Sequence, residues 1–341
     1  MKRVVKTLTL IVLILTVGLV GGIVAAYYVN RPSSTIPEAG ALVSVHEGES
    51  LNAIAAKLEG EGIIHSSFFL RLFSRLRATE GDFQVGTYKI EKGTSTLGVH
   101  NLLVSGREVL YSITIPEGWP ISRIANLLED ESITSRDEFL AAARARQLLA
   151  DLGIPGDSVE GFLFPDTYFF AKDYPAELIV KHMVEQFFGK LRAIYPDFSG
   201  IAPEELYQKV VLASIIEREY RAEDEAEMMA SVFYNRLDIN MRLQSCATVA
   251  YVLTEILGKE HPDNLTFKDL EVESDYNTYA QWGLPPGPIS NPGIVALKAA
   301  FLPAESDFLY FVLKDPNAGR HEFSTSLEDH NYAKFMYLKK S

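Results

Sequence analysis

Apolar and polar positions along this chain change period several times, and each change predicts an element. Thr7 to Val29 is a run of 23 uncharged, mostly apolar residues, long enough for a helix to cross a bilayer. Asn30 to Gly40 (NRPSSTIPEAG) then turns polar and carries two prolines, as a linker does. Val43 to Ile63 (VSVHEGESLNAIAAKLEGEGI) and Ile113 to Ile133 (ITIPEGWPISRIANLLEDESI) repeat one pattern at a constant offset of 70. Each is a short alternating strand, a Glu-Gly turn and a helix with apolar residues at i, i+3, i+4 and i+7. The repeat pairs Glu47 with Glu117, Gly48 with Gly118, Ile54 with Ile124, Ala55 with Ala125 and Leu58 with Leu128. A weaker third copy runs from Tyr88 through Gly93 to Val104. Phe68 to Leu76 predicts an amphipathic helix, and Ser135 to Ile154 a helix and connector ending at Gly153-Ile-Pro-Gly156. Glu160 to Tyr168 reads as a tight turn entering an aromatic strand, and Pro175 to Tyr195 as a helix. Further on come a helix over Ala222 to Leu237, a hairpin of Phe308 to Lys314 with His321 to Thr325, and a C-terminal helix.

The most informative helix is Pro203 to Tyr220 (PEELYQKVVLASIIEREY). At 100° per residue, Leu206 and Val210 fall about 20° to either side of Glu217, and Ala213 about 40° away. Glu217 thus lies on the axis of an apolar stripe, while Glu219 points about 160° away. Val210 to Ile216 is apolar nearly all round, which predicts a helix enclosed by other elements. A carboxyl at the end of such a stripe loses hydration, and its pKa rises. A general acid at a glycosidic oxygen needs that property. The alternative is that Glu217 caps or salt-bridges a packed helix.

Composition narrows the choices. The chain has 341 residues, 47% hydrophobic and 11% aromatic, with room for two folded domains beyond a targeting segment. Net charge is −13; Lys2, Arg3 and Lys6 carry +3, leaving −16 on the remainder. Such acidity argues against nucleic acid as a partner. Cys246 is the single cysteine, so no internal disulfide forms, and the seven histidines have no metal-ligand spacing. No metal or other cofactor is expected. The basic residues before the apolar run predict a cytoplasmic tail over 1–6 and a transmembrane signal anchor over 7–29. The run is longer than the apolar core of about 7–15 residues in a cleaved signal peptide. A linker over 30–42 leads into a body outside the cytoplasmic membrane.

Six motifs carry a family resemblance: EGFLFPDTY (160–168), LASIIERE (212–219), VFYNRL (232–237), RLQSCATVAY (242–251), YNTY (276–279) and GLPPGPISNPG (283–293). In this order they make the chain resemble the endolytic murein transglycosylases of the MltG (YceG-like) family. The strand–turn–helix repeat over 43–150 is similar to the LysM fold of peptidoglycan- and chitin-binding modules, and Trp119 either stacks on a sugar or covers a small core. The resemblance implies an α+β protein with a single-pass anchor, a LysM-like region and a helix-rich catalytic domain over 155–341 carrying a small sheet. It puts the catalytic acid and base on Glu217. Gln244, Ser245, Tyr276, Asn277 and Thr278, with Thr248 beside them, are candidates for orienting sugars. Where many members carry an acid after the Gln-Ser/Thr pair, this chain has Cys246.

The implied reaction cuts the β-1,4 bond between N-acetylmuramic acid and N-acetylglucosamine and leaves a 1,6-anhydro end. The muramyl C6 hydroxyl is the nucleophile, so a second carboxylate is not required. The implied partners are peptidoglycan strands, the bilayer, and the synthetic and division machinery. Two rivals stand beside this reading. A muramidase-type hydrolase would need a second carboxylate about 5–9.5 Å from the first, for which Glu160, Asp166 and Glu219 are candidates. A non-catalytic wall-binding scaffold would use only the repeats.

Overall fold

The apolar N-terminal run is helical in the computed structural model, which describes residues 2–338 except Glu47, Glu108 and Asp263. Helix α1 (Lys2–Val29) contains a 21-residue stretch, Thr9–Val29, of mean hydropathy 2.6. Among the described residues it is the helix long and apolar enough to cross a membrane. Leu13, Ile14, Leu15 and Leu19 lie exposed along it. The protein is α+β and divides into two compact units, Met1–Tyr111 and Ser112–Ser341.

In the first unit, β1 (Ala41–Val45) leads into α2 (Leu51–Gly60) and α3 (Ser67–Arg77), then β2 (Gly86–Ile90) into α4 (Thr96–Ser105). The strands pair antiparallel, Ala41 opposite Ile90 and Val45 opposite Gly86. Ser50, Ser66 and Ser95 cap the three helices by accepting from backbone N–H groups. Val43, Ile54, Leu58, Leu70, Tyr88, Val99 and Leu103 form one core. The segment after α1 is polar in composition yet packed. Ile36 is 2% exposed and joins that core, and the Ser33 and Thr35 hydroxyls donate to the Gly62 carbonyl.

The second unit opens with β3 (Tyr111–Thr114) and α5 (Ile121–Asp130), followed by α6 (Arg136–Ala142) and α7 (Arg146–Asp151). The chain then forms β4 (Thr167–Phe170), which pairs with β3, and α8 (Ala176–Ile194). The sequence repeat is therefore structural, since β1–α2, β2–α4 and β3–α5 are each strand, turn and helix. Gly48, Gly93 and Gly118 turn in the left-handed region at φ +77°, +90° and +72°, where side chains other than glycine are strained. Glu47 of the first copy lies outside the described residues.

Helix α9 (Pro203–Ile216) is the centre of this unit, and every residue from Val210 to Ile216 is buried. It packs against α12 (Ile294–Phe301) and α10 (Ala226–Asp238), and short α11 (Cys246–Tyr251) runs on as a π-helical turn over Val252–Ile256. A hairpin of β5 (Tyr310–Asp315) and β6 (Arg320–Ser324) closes the unit with α13 (Leu327–Leu338).

Candidate active site

The last turn of α9 sets the site. Regular i→i+4 bonding holds through Glu217 N–H on the Ala213 carbonyl, 2.9 Å, and then tightens: Arg218 bonds Ile215 and Glu219 bonds Ile216, both at 3.0 Å. The helix thus stops at Ile216 rather than at Tyr220, and Glu217 sits at its C-cap. Two latches bring a loop across this end. Ser214 takes the Ile289 N–H on its hydroxyl and the Ser290 hydroxyl on its carbonyl, both at 3.0 Å. The turn of the third strand is tied to the same loop, with Gly118 N–H on the Asn291 carbonyl at 2.9 Å and Asn291 N–H on the Trp119 carbonyl at 3.0 Å.

The latches deliver Gly293 to the acid, and its N–H donates to Glu217 Oε2 at 2.9 Å. They also deliver Glu117. A Cβ at Gly293 would lie 1.8 Å from Glu117 Oε1, so only glycine leaves room for that side chain. The half-buried Glu217 carboxyl is pushed up to about 7, by burial first and by the Glu117 charge as well; the Gly293 N–H and the Arg218 charge oppose this. Glu117 was missed as a site residue in the sequence. Its only signal there was the repeated Glu-Gly turn.

The other acids are committed elsewhere. Glu160 is buried with both oxygens on the Ile121 N–H, 3.2 and 3.1 Å, and Oε1 accepting from Asn291 Nδ2 at 2.9 Å. Burial pushes it up to about 8, the Ile121 N–H notwithstanding. Asp166 pairs with Lys190 at 3.5 Å and accepts from Gln186 at 3.0 Å. Burial acts to raise it, but the Thr167 N–H, Gln186 and Lys190 together hold it below the usual carboxylate range. Glu219 takes the Ser245 hydroxyl bond and is raised by burial.

Buried Asn291 holds this framework together. Its Oδ1 accepts from Gly161 and Leu163 N–H, and its Nδ2 donates to Trp119 and Glu160, all at 2.9 Å. Trp119 itself is half-buried beneath the Arg123 guanidinium, 5.1 Å from its ring.

Of the sugar-orienting candidates, Gln244 is exposed, in the left-handed region at φ +50°, and its N–H bonds the Thr278 carbonyl. Tyr276 is half-buried, with its ring 5.2 Å from that of Tyr251. The remaining four are buried and bonded within the fold. Thr278 Oγ1 accepts from Ser245 N–H at 3.0 Å and lies 2.9 Å from Thr248 Oγ1. Asn277 Nδ2 donates to the Leu270 and Val272 carbonyls at 2.9 and 2.8 Å. Cys246 contacts the Tyr279 hydroxyl at 3.1 Å, and burial raises its thiol, which disfavours the thiolate a nucleophile needs. His321 bonds Glu225 at 2.9 Å as a structural pair. Among the described residues, no three His, Cys, Asp or Glu side chains gather as a metal site.

The model of the YceG-like family matches residues 43–335. The endolytic murein transglycosylase of Bacillus subtilis (strain 168) is 32% identical over 312 residues, covering 87% of this chain and 84% of that protein. Its namesake from Streptococcus pneumoniae serotype 2 is 28% identical over 85% of this chain; that protein is longer, and the match spans 57% of it. A crystal structure of a yceG-like protein from Listeria monocytogenes superposes with TM-score 0.57 at 30% identity, covering 87% of this chain and 99% of that one.

Proposed function

The chain belongs to the YceG-like family, and from that premise we propose that it is an endolytic peptidoglycan lytic transglycosylase with Glu217 as its catalytic acid and base. The observation that carries the reading is a half-buried carboxyl at the end of α9 whose pKa, about 7, leaves both protonation states well populated at neutral pH. Protonated Glu217 donates to the leaving glycosidic oxygen as an oxocarbenium-like centre develops. The resulting carboxylate takes the proton of the muramyl C6 hydroxyl, whose oxygen closes on C1 to give the 1,6-anhydro end. Gln244 and Tyr276 offer polar groups to the sugars. Ser245, Thr248, Asn277 and Thr278 hold the loops that present them. The three strand–turn–helix units serve as LysM-like glycan-binding elements. Helix α1 anchors the body outside the cytoplasmic membrane, within reach of nascent strands and of the machinery that makes them.

One observation favours a second reading. Glu117 is a carboxylate at the site that could activate water, making the enzyme a hydrolase of the same bond. Mass spectrometry of products from isolated glycan strands, with Glu217→Gln alongside, separates the two. Ends lighter by one water, absent with the variant, support the transglycosylase; free reducing ends make water the acceptor. Bound but uncut strands leave only a wall-binding scaffold.

A further inference from the structure

A cleft of about 660 Å³ opens in the second unit, beginning at Arg218, the residue that follows the acid. Its charge runs against that of the protein. The chain carries −13 overall, whereas among the described residues the cleft is lined by Arg123, Arg136, Arg218 and Lys259, with His261 beside them, against the carboxylate of Glu255. Among the described residues, Arg136 alone of the four cations forms an ion pair. Glu255 is occupied by the Ser122 hydroxyl. Arg218 Nη1 spends one bond on the Gly118 carbonyl at 3.0 Å, and Arg123 lies over Trp119. Arg136 donates from Nε to Asn126 at 2.9 Å and meets the exposed Asp137 at 3.5 Å. Burial and the nearby Arg123 work against the Arg218 charge, while Glu217, Glu219 and Glu255 support it from a distance; among the described residues no carboxylate forms an ion pair with either Arg218 or Arg123, so the two guanidiniums face one space unbridged. Placing like charges together is unfavourable, and an incoming anion relieves it.

Given the reading of Glu217 above, on which this rests, the anion has a natural source. The muramyl residues of peptidoglycan carry peptide stems with free carboxylates, and a stem hangs from the sugar that is cut. We infer that this basic cleft is a subsite for the acidic peptide stem of the substrate strand, engaged by Arg123, Arg136, Arg218 and Lys259. Arginine is suited to the work, since its planar fork meets a carboxylate with two bonds. The subsite makes the enzyme select peptide-bearing strands over naked glycan.

The test uses the full chain in detergent micelles and free stem pentapeptide as probe, followed by calorimetric titration. The double variant Arg136→Gln/Lys259→Gln should bind the pentapeptide about tenfold or more weakly, and Arg136→Lys/Lys259→Arg should restore much of the loss. Amidating the peptide carboxylates should weaken wild-type binding similarly. No binding by the wild type, or equal binding by wild type and double variant, overturns the inference. A second arm compares cleavage of peptide-bearing strands with strands stripped by an amidase. The double variant's loss in kcat/KM on the first should exceed its loss on the second; equal losses count against the subsite. If neither strand is cut by any protein, the enzymatic reading fails, while the peptide titration still decides whether the cleft takes a stem.

Discussion

Replacing Glu217 by glutamine should abolish activity and at the same time stabilise the protein at alkaline pH. The carboxyl titrates near 4.5 when unfolded and near 7 in the fold. Below about pH 4 it is protonated in both states and contributes no pH dependence. As pH rises from there to 7, the unfolded chain releases its proton first, so the native state binds more protons and stability falls; above 7 the penalty levels off. The full shift corresponds to about 3 kcal/mol, and partial solvent access at the half-buried site reduces that to roughly 2 kcal/mol. Glutamine resembles the protonated acid and can still accept the Gly293 N–H, so the variant escapes the penalty. Urea denaturation of both proteins in micelles should give equal stabilities at pH 4 and a variant about 2 kcal/mol more stable at pH 8.5. A difference that is the same at both pH values, or a variant less stable at pH 8.5, would refute the argument that burial holds Glu217 protonated.

Glu117→Gln removes a charge that raises Glu217, so the alkaline limb of the pH–rate profile should move to lower pH. In a Gly293→Ala background the added Cβ evicts Glu117, and Glu117→Gln should then move the limb much less. Gly161 sits at φ +86° with Pro288 carbons 2.6 Å from where a Cβ would fall; Gly161→Ala should cost about 3 kcal/mol or more in denaturation measurements. Asn291→Ala strands the buried partners of four side-chain bonds and should cost about 3–5 kcal/mol by the same assay.

What could be read in the sequence was local. The period of 203–220 singled out Glu217 because helical geometry alone puts it on the apolar stripe. The offset of 70 exposed two strand–turn–helix units for the same reason, since the pattern lies within each copy. The termination of α9 at Ile216 was not legible, because the tightened turn depends on what Glu219 and Arg218 bond across the fold. Nor was the role of Glu117, a hundred residues upstream, which a loop latch carries to Gly293. The hydroxyls of Ser245, Thr248 and Thr278 looked free for sugars, but the sequence could not reveal that the first would bond Glu219 and the other two each other. Ile36 sat in a polar stretch whose composition concealed its place in a core.

Two of the raised carboxyls, Glu160 and Glu217, sit at opposite ends of their helices. Glu160 caps the N-terminal end of α5, where the helix dipole and the Ile121 N–H favour an anion while burial opposes it. Its oxygens are consumed by the framework, so whatever proton it holds serves stability. Glu217 lies at the C-terminal end of α9, where the dipole disfavours an anion and adds to burial and the Glu117 charge. Only the Gly293 N–H and Arg218 pull the other way. On the proposed mechanism, a carboxyl under that upward pressure with no restraint would remain protonated and could not take up a proton in the second step; with stronger restraint it would be ionised and could not donate in the first. Glycine at 293 sets the balance, because the same residue gives Glu217 its one N–H and gives Glu117 the space to stand beside it.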